Sequence, residues 1–300
     1  MKSLREYLVD ADSRHVAIGH FNISDYGAIR GIFDGARELS ASHGGEPLPI
    51  LIGVSEGERE FIGVKQAVAL IRSLRETYDY PVFLNADHTH SLEKAKEAAE
   101  AGFDEVLFDG SSMPFDQNLE ATKEAAAAVH RINADIIVEG EIGYIGSSSE
   151  IIDVRPESSL KLSTPEEAGR FVRETGIDVL APAVGNMHGL LKSMVTEGEH
   201  KRLHIELIGQ IKKACDTFMT LHGGSGTADE DFVGAVKNGM TIVHVSSELR
   251  LAWRRGMERA LADNPSEIAP YKLLAPSVGN IKEIVINRLK LFNGIGELTK

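Results

Sequence analysis

Pro81-Val82-Phe83-Leu84-Asn85-Ala86-Asp87-His88-Thr89-His90 runs straight into Ser91-Leu92-Glu93-Lys94-Ala95-Lys96-Glu97-Ala98-Ala99-Glu100-Ala101-Gly102, and two residues later into Glu105-Val106-Leu107-Phe108-Asp109-Gly110. Pro81 to Ala86 is a short β-rich run. Ser91 is placed as a helix N-cap, the apolar positions from Leu92 to Ala101 recur at three and four residues, and Gly102 stands where that helix must stop. Glu105 to Phe108 is a second strand. A strand, a helix and a strand joined this tightly form a unit with parallel strands and a helix across one face.

The same alternation extends to both ends of the chain. Further strands are expected at Val16 to Phe21, Leu48 to Gly53, Asp135 to Glu139, Asp178 to Ala181, Phe218 to Leu221 and Thr241 to Val245, which makes eight in all. Helical patterns lie at Tyr26 to Leu39, Val64 to Tyr78, Asn118 to Ile132, Pro165 to Thr175, Leu203 to Ala214, Asp229 to Asn238 and Glu248 to Ala262. Thr164 with Pro165 marks a helix start, and Gly176 and Gly239 mark ends. Eight such units predict an α/β fold, a (β/α)8 TIM barrel forming one domain over residues 1–300, with one extra C-terminal helix from Asn280 to Phe292. No Gly-x-Gly-x-x-Gly follows the first strand and no phosphate-loop pattern occurs, which argues against an open nucleotide-binding sheet. The irregular stretch from Gly140 to Ser163, broken by Ser147-Ser148-Ser149 and Pro156, is long enough to be a functional lid.

Composition narrows the partners. The chain has 300 residues, 42% apolar and 26% charged, and its 32 basic against 45 acidic side chains give 32 − 45 = −13. That balance opposes nucleic acid or an anionic membrane as partner, so an anionic ligand must be held locally. The single cysteine, Cys215, cannot close an intramolecular disulfide. Charges interrupt the apolar runs near Met1, so no secretory segment is read there, and a cytoplasmic location is the expectation.

In a parallel barrel the loops after the strands converge on one mouth. That rule selects Asp87-His88, Asp109, Glu139 and Glu141, His188 and His222. Three imidazoles suit zinc or another divalent transition metal and leave a coordination position open. A lone histidine is more often structural. Three at corresponding strand ends are not read that way, and His90 is the rival ligand. Glycine-rich segments, Gly185-Asn186-Met187-His188-Gly189-Leu190-Leu191-Lys192 and Leu221-His222-Gly223-Gly224-Ser225-Gly226, can wrap a phosphate with backbone N–H groups, without a basic surface.

These segments, with Gly19-His20-Phe21-Asn22-Ile23, Ile52-Gly53-Val54-Ser55-Glu56-Gly57 and Val138-Glu139-Gly140-Glu141-Ile142-Gly143, resemble the class II, metal-dependent fructose-bisphosphate and tagatose-bisphosphate aldolases. The resemblance implies a homodimer or homotetramer that cleaves a ketose bisphosphate between C3 and C4, giving dihydroxyacetone phosphate and an aldehyde. It implies His88, His188 and His222 as zinc ligands, Asp109 and Glu141 as acidic positions for a second cation, and Asp87 as the acid/base at the C4 hydroxyl. Asn22, Ser55, Gly189, Lys192, Gly223, Gly224, Ser225, Ser246 and Ser247 fall in substrate-holding segments, and Arg288 is a candidate for the distal phosphate. The chain departs from the family twice. Ser149 stands where the family has a loop glutamate, with Glu150 next to it as the expected base. His244 replaces an asparagine that contacts substrate, and can reshape the pocket, add a metal ligand or act as an acid/base. The alternatives are a lyase acting on a different ketose phosphate and an inactive sugar-phosphate-binding barrel.

Overall fold

The structure is a computed structural model that describes residues 2–146, 151–154 and 161–296. In chain order the elements begin with α1 (Leu4–Arg14), β1 (Ile18–Asn22), α2 (Tyr26–His43), β2 (Ile50–Val54), α3 (Glu56–Ile62), α4 (Val64–Tyr78), β3 (Val82–Thr89) and α5 (Leu92–Ala101). They continue with β4 (Glu105–Phe108), α6 (Phe115–Ile132), β5 (Ile137–Ile142), β6 (Ile151–Ile152), α7 (Pro165–Thr175), β7 (Val179–Pro182), β8 (Leu190–Leu191) and α8 (Lys192–Thr196). The last are α9 (Ile205–Cys215), β9 (Phe218–Leu221), α10 (Asp229–Lys237), β10 (Met240–Val245), α11 (Ser247–Asp263), α12 (Pro270–Leu273) and α13 (Ala275–Asn293).

Eight strands close a barrel in the order β1-β10-β9-β7-β5-β4-β3-β2, every pair parallel, as the eight repeated units predict. The two-residue strands β6 and β8 pair outside it. Side chains alternate along each strand, so one set enters the barrel and the other meets the helices. Ile52, Leu84, Val106, Val138 and Val243 join the large cluster under the helices. Ile18, Leu51, Phe83, Ile137, Val179 and Ile242 form a separate apolar layer inside the barrel.

A helix the sequence reading passed over closes that layer. Ser3 and Glu6 build a capping box for α1, and Leu4, Leu8 and Ala11 at helical spacing pack on the inner layer. The mouth at the strands' N-terminal ends is thus sealed by α1, and chemistry is confined to the opposite mouth. The C-terminal helical pattern also begins earlier than expected, at Ala275. α13 packs on α2, where Gly31 lies so close that a Cβ would stand 2.8 Å from the Val278 carbonyl oxygen. Among the described residues no helix is long and apolar enough to cross a membrane.

Candidate active site

Two residues further along each strand the barrel interior changes character. The inward positions above the apolar layer are His20, Gly53, Asn85, Glu105, Glu139, Thr220 and His244, and each side chain among them is buried. Most barrels fill this level with Val, Ile and Leu. Here Asn85 donates from Nδ2 to Glu105 Oε2 at 2.6 Å. His20 and His244, paired in the register of β1 and β10, stack with ring centroids 3.4 Å apart and planes 7° from parallel. Gly53 makes room for the stack: a Cβ there would stand 2.1 Å from His20 Cε1.

The next level is the functional one. Asp87 and His88 are consecutive yet both line the mouth cavity, which strict alternation forbids. The register between β3 and β4 shifts between Ala86 and Thr89, and His88 takes φ 44, in the left-handed region. This local bulge turns both side chains to the same space. Arg59 from α3 secures it, its Nη1 donating to the carbonyls of Val54 at 2.8 Å and Asp87 at 3.2 Å and its Nη2 to Thr89 Oγ1 at 3.0 Å.

His88, His188 and His222 come together with one donor nitrogen each, all within 4.8 Å of one another. The other nitrogen of each ring is held. His88 Nδ1 bonds Asp109 Oδ2 at 2.7 Å, His188 Nδ1 donates to the Gly146 carbonyl at 2.7 Å, and His222 Nε2 bonds Glu139 Oε1 at 2.6 Å. His222 Nδ1 is buried without a hydrogen-bond partner among the described residues. Three neutral-capable nitrogens facing one point, each ring fixed from behind, fit a divalent transition metal. His90 does not join them: it is 57% exposed at its side chain, and its Nδ1 bonds the Asp109 carbonyl at 3.2 Å.

Electrostatics keep two of the three rings in the neutral form that metal binding needs. Burial holds His188 and His222 down at about 3, helped by the charge of His88, so both rings stay neutral. Burial also acts to lower His88, but Asp87, Asp109 and Glu141 outweigh it and lift that ring to about 10, so a metal binding there would have to displace its proton. Asp87 is held below the usual carboxylate range although burial opposes it, because His88, His20 and His222 face it and Asn22 Nδ2 donates to its Oδ2 at 2.8 Å. Glu141 moves the other way, raised by burial and by Asp109. Asp109, Glu141 and His88 form a second acidic group. A cation there would have to displace the bond between His88 and Asp109.

The cavity above these groups has a volume of about 450 Å³. Of the residues expected to hold substrate, Asn22, Ser55, Gly189, Gly223, Ser225, Ser246 and Ser247 line it, and so does His244. Ser225 Oγ accepts from the N–H groups of Ser246 and Glu248, tying the loop after β9 to the start of α11. Gly224 is structural: its N–H donates to the His244 carbonyl at 3.1 Å. Two expected residues are placed elsewhere. The Lys192 side chain is 68% exposed beside Asp153, and Arg288 is tied to Glu248 and Asp229. Glu150 lies outside the described residues. The sequence reading missed Arg250, which lines the cavity from α11 while bonding Glu58 Oε1 at 2.7 Å, and which only the closed barrel brings to the mouth.

A family model described as fructose-bisphosphate aldolase class-II matches residues 2–297. The chain belongs to the class II fructose-bisphosphate aldolase family. As a class II aldolase it is an aldehyde-lyase, and the family is metal-dependent and acts on phosphorylated sugars. It is similar to a fructose-bisphosphate aldolase of Geobacillus stearothermophilus, 32% identical over 298 residues that cover 98% of each chain. A fructose-bisphosphate aldolase of Staphylococcus aureus is also 32% identical, over 97% of this chain and 96% of the relative. Among solved structures, the YdjI aldolase of Escherichia coli K12 superposes with a TM-score of 0.79 at 26% identity, covering 98% of both chains. A fructose-bisphosphate aldolase from Campylobacter jejuni shares the aldolase barrel, with a TM-score of 0.76 at 18% identity over 97% of this chain and 94% of that one.

Proposed function

We propose that this class II aldolase catalyses the reversible retro-aldol cleavage of a ketose bisphosphate, with fructose 1,6-bisphosphate the first substrate, to dihydroxyacetone phosphate and an aldehyde such as glyceraldehyde 3-phosphate. The observation that carries the reading is the meeting of His88, His188 and His222 beside the buried Asp87 on the floor of one cavity. Zinc suits three imidazole nitrogens. When bound, it would supply Lewis-acid stabilisation of the electron-rich oxygens that develop as the carbon–carbon bond breaks.

The chain's own residues supply the rest. Asp87, kept anionic and pinned by Asn22, is placed to take the proton of the C4 hydroxyl during cleavage and to return it during addition. Asp109, the Gly146 carbonyl and Glu139 fix the three rings so that no reorientation is needed. Gly189, Gly223 and Ser225 receive one phosphate, and Arg250, rather than Arg288, is the cation positioned for the distal one. Glu150 remains the proposed base at the nucleophilic carbon, on sequence grounds alone. A ketose phosphate with a different aldehyde half is a second reading, favoured by His244, whose imidazole takes up space in the cavity wall. Assembly as a homodimer or homotetramer is supported by an apolar cleft of about 630 Å³ lined by Leu249, Trp253, Met257 and Phe61, the last 79% exposed.

The test is a screen of ketose mono- and bisphosphates with zinc-loaded protein. Triose phosphates should form from fructose 1,6-bisphosphate, stop on chelation and resume with zinc. His188→Ala and His222→Ala should lose both zinc and turnover while keeping native circular dichroism. Full zinc binding with no cleavage of any ketose phosphate would overturn the reading.

A further inference from the structure

One buried charged side chain has no part in the chemistry above. Lys201, between α8 and α9, is 2% exposed. Its Nζ donates to the main-chain carbonyls of Met187 at 2.7 Å, Gly189 at 2.8 Å and Gly223 at 3.1 Å. An ammonium carries three N–H groups, so these three oxygens match its donor set. Met187 and Gly189 flank His188, and Gly223 follows His222, so one side chain joins the two loops that carry two of the three imidazoles.

The junction is tight. Gly223 has φ 58, and a Cβ there would stand 2.3 Å from the Met187 carbonyl oxygen. Carbonyl oxygens converging from two loops repel one another unless a cation lies between them. Lys201 is delivered to that point on a fixed backbone, because its N–H donates to the Gly226 carbonyl at 2.8 Å and its own carbonyl accepts from Ala228 at 3.2 Å. Burying an ammonium is costly, and an apolar side chain of similar length fills space at less expense. The charge therefore has work that packing does not explain. On the other side of the same loops, Gly189, Gly223 and Ser225 line the cavity, in a chain of net charge −13.

We infer that Lys201 is a positioning residue for the phosphate end of the substrate, a built-in monovalent cation that ties the His188 loop to the His222 loop and holds their cavity faces ready for an anion. This rests on the reading of the cavity as a ketose-phosphate site.

The experiment compares zinc-loaded wild type, Lys201→Ala and Lys201→Gln, with tetramethylammonium as the only other cation and then with potassium or ammonium added. The readouts are calorimetric binding of dihydroxyacetone phosphate and the melting temperature. Lys201→Ala should bind the probe roughly tenfold to a hundredfold more weakly, the range expected for losing hydrogen bonds to a charged group. Potassium or ammonium, small enough to enter the vacated carbonyl cage, should restore much of the affinity and raise its melting temperature, while wild type stays indifferent to the added ion. Lys201→Gln, which keeps N–H donors on a side chain one atom shorter but removes the charge, should also bind weakly. Wild-type affinity in either variant, or a loss in Lys201→Ala that no small cation reverses, would overturn the inference. Should wild type itself fail to bind dihydroxyacetone phosphate, the functional reading falls, and cation-dependent melting of Lys201→Ala then decides the loop tie alone.

Discussion

Nε2 of His222 and Oε1 of Glu139 stand 2.6 Å apart, with both side chains buried in the barrel interior. Because that contact occupies Nε2, the ring offers Nδ1 to the site, and Glu139 decides which way His222 faces. Such outer contacts to a metal-binding ring are worth about 10- to 100-fold in metal affinity. Glu139→Gln should therefore bind zinc about tenfold more weakly, read by competition with a chromogenic chelator, with the fold unchanged by circular dichroism. An unaltered zinc affinity would show that His222 holds its orientation without the carboxylate.

Asp87→Asn separates proton transfer from metal binding. The amide keeps the shape and removes the charge beside Asn22, so zinc content should stay at one equivalent while kcat falls by about 10²- to 10⁴-fold, the usual share of a general acid/base. Loss of zinc together with activity would instead make Asp87 part of the metal site.

Burial of His20 predicts the sign of a pH dependence in the metal-free protein. Burial, first, and then the neighbouring imidazoles hold it at about 4 although Asp87 opposes them, against an ordinary value of 6.5. Between those two values the unfolded chain takes up a proton at His20 that the folded chain refuses, so stability falls as pH drops from about 6.5 towards 4 and then levels off. His20→Gln should remove that contribution, about 1.4 kcal/mol per pH unit across the window. Denaturant titrations of both metal-free proteins at pH 7, 6 and 5 should show the wild-type advantage shrinking with acidity. Curves that stay parallel would mean that folding leaves the His20 imidazole unshifted from its ordinary value.

Gly53 and His20 should behave as one unit. A methyl group at Gly53 collides with His20, which predicts about 1–3 kcal/mol of destabilisation for Gly53→Ala in a packed interior. In the His20→Ala background the same change should cost much less, giving a coupling energy of about 0.5–3 kcal/mol in a double-mutant cycle. Additive effects would deny the contact.

Much of the barrel was legible because parallel strands covered on both faces are written as short apolar runs, and because Ser91, Gly102, Thr164 and Gly176 announce helix ends. α1 could have been read as well, from Ser3 three residues before Glu6 and from Leu4, Leu8 and Ala11 at helical spacing. The mouth residues followed from one rule about strand ends. The polar layer beneath them did not. A single His20 within a strand of five residues, or Glu105 at the start of one of four, carries no signal of its own, and its partners lie on other strands, so only closure of the sheet shows His20 stacked on His244 or Asn85 bonded to Glu105. The two lysines show a related limit: Lys192 sits within the glycine-rich motif with its side chain exposed, whereas Lys201, nine residues on, is returned to the motif by the chain's path.

The left-handed backbone at His88 sets two demands against each other. A histidine there bears a conformational penalty of order 1–3 kcal/mol that glycine would escape, yet glycine has no ring to offer a cation. Selection for heat tolerance alone would drift toward glycine at this position, and each step that way would trade catalyst for scaffold. Laboratory evolution of this barrel for thermal endurance would need to hold position 88 fixed and seek its gains in the ring of outer helices.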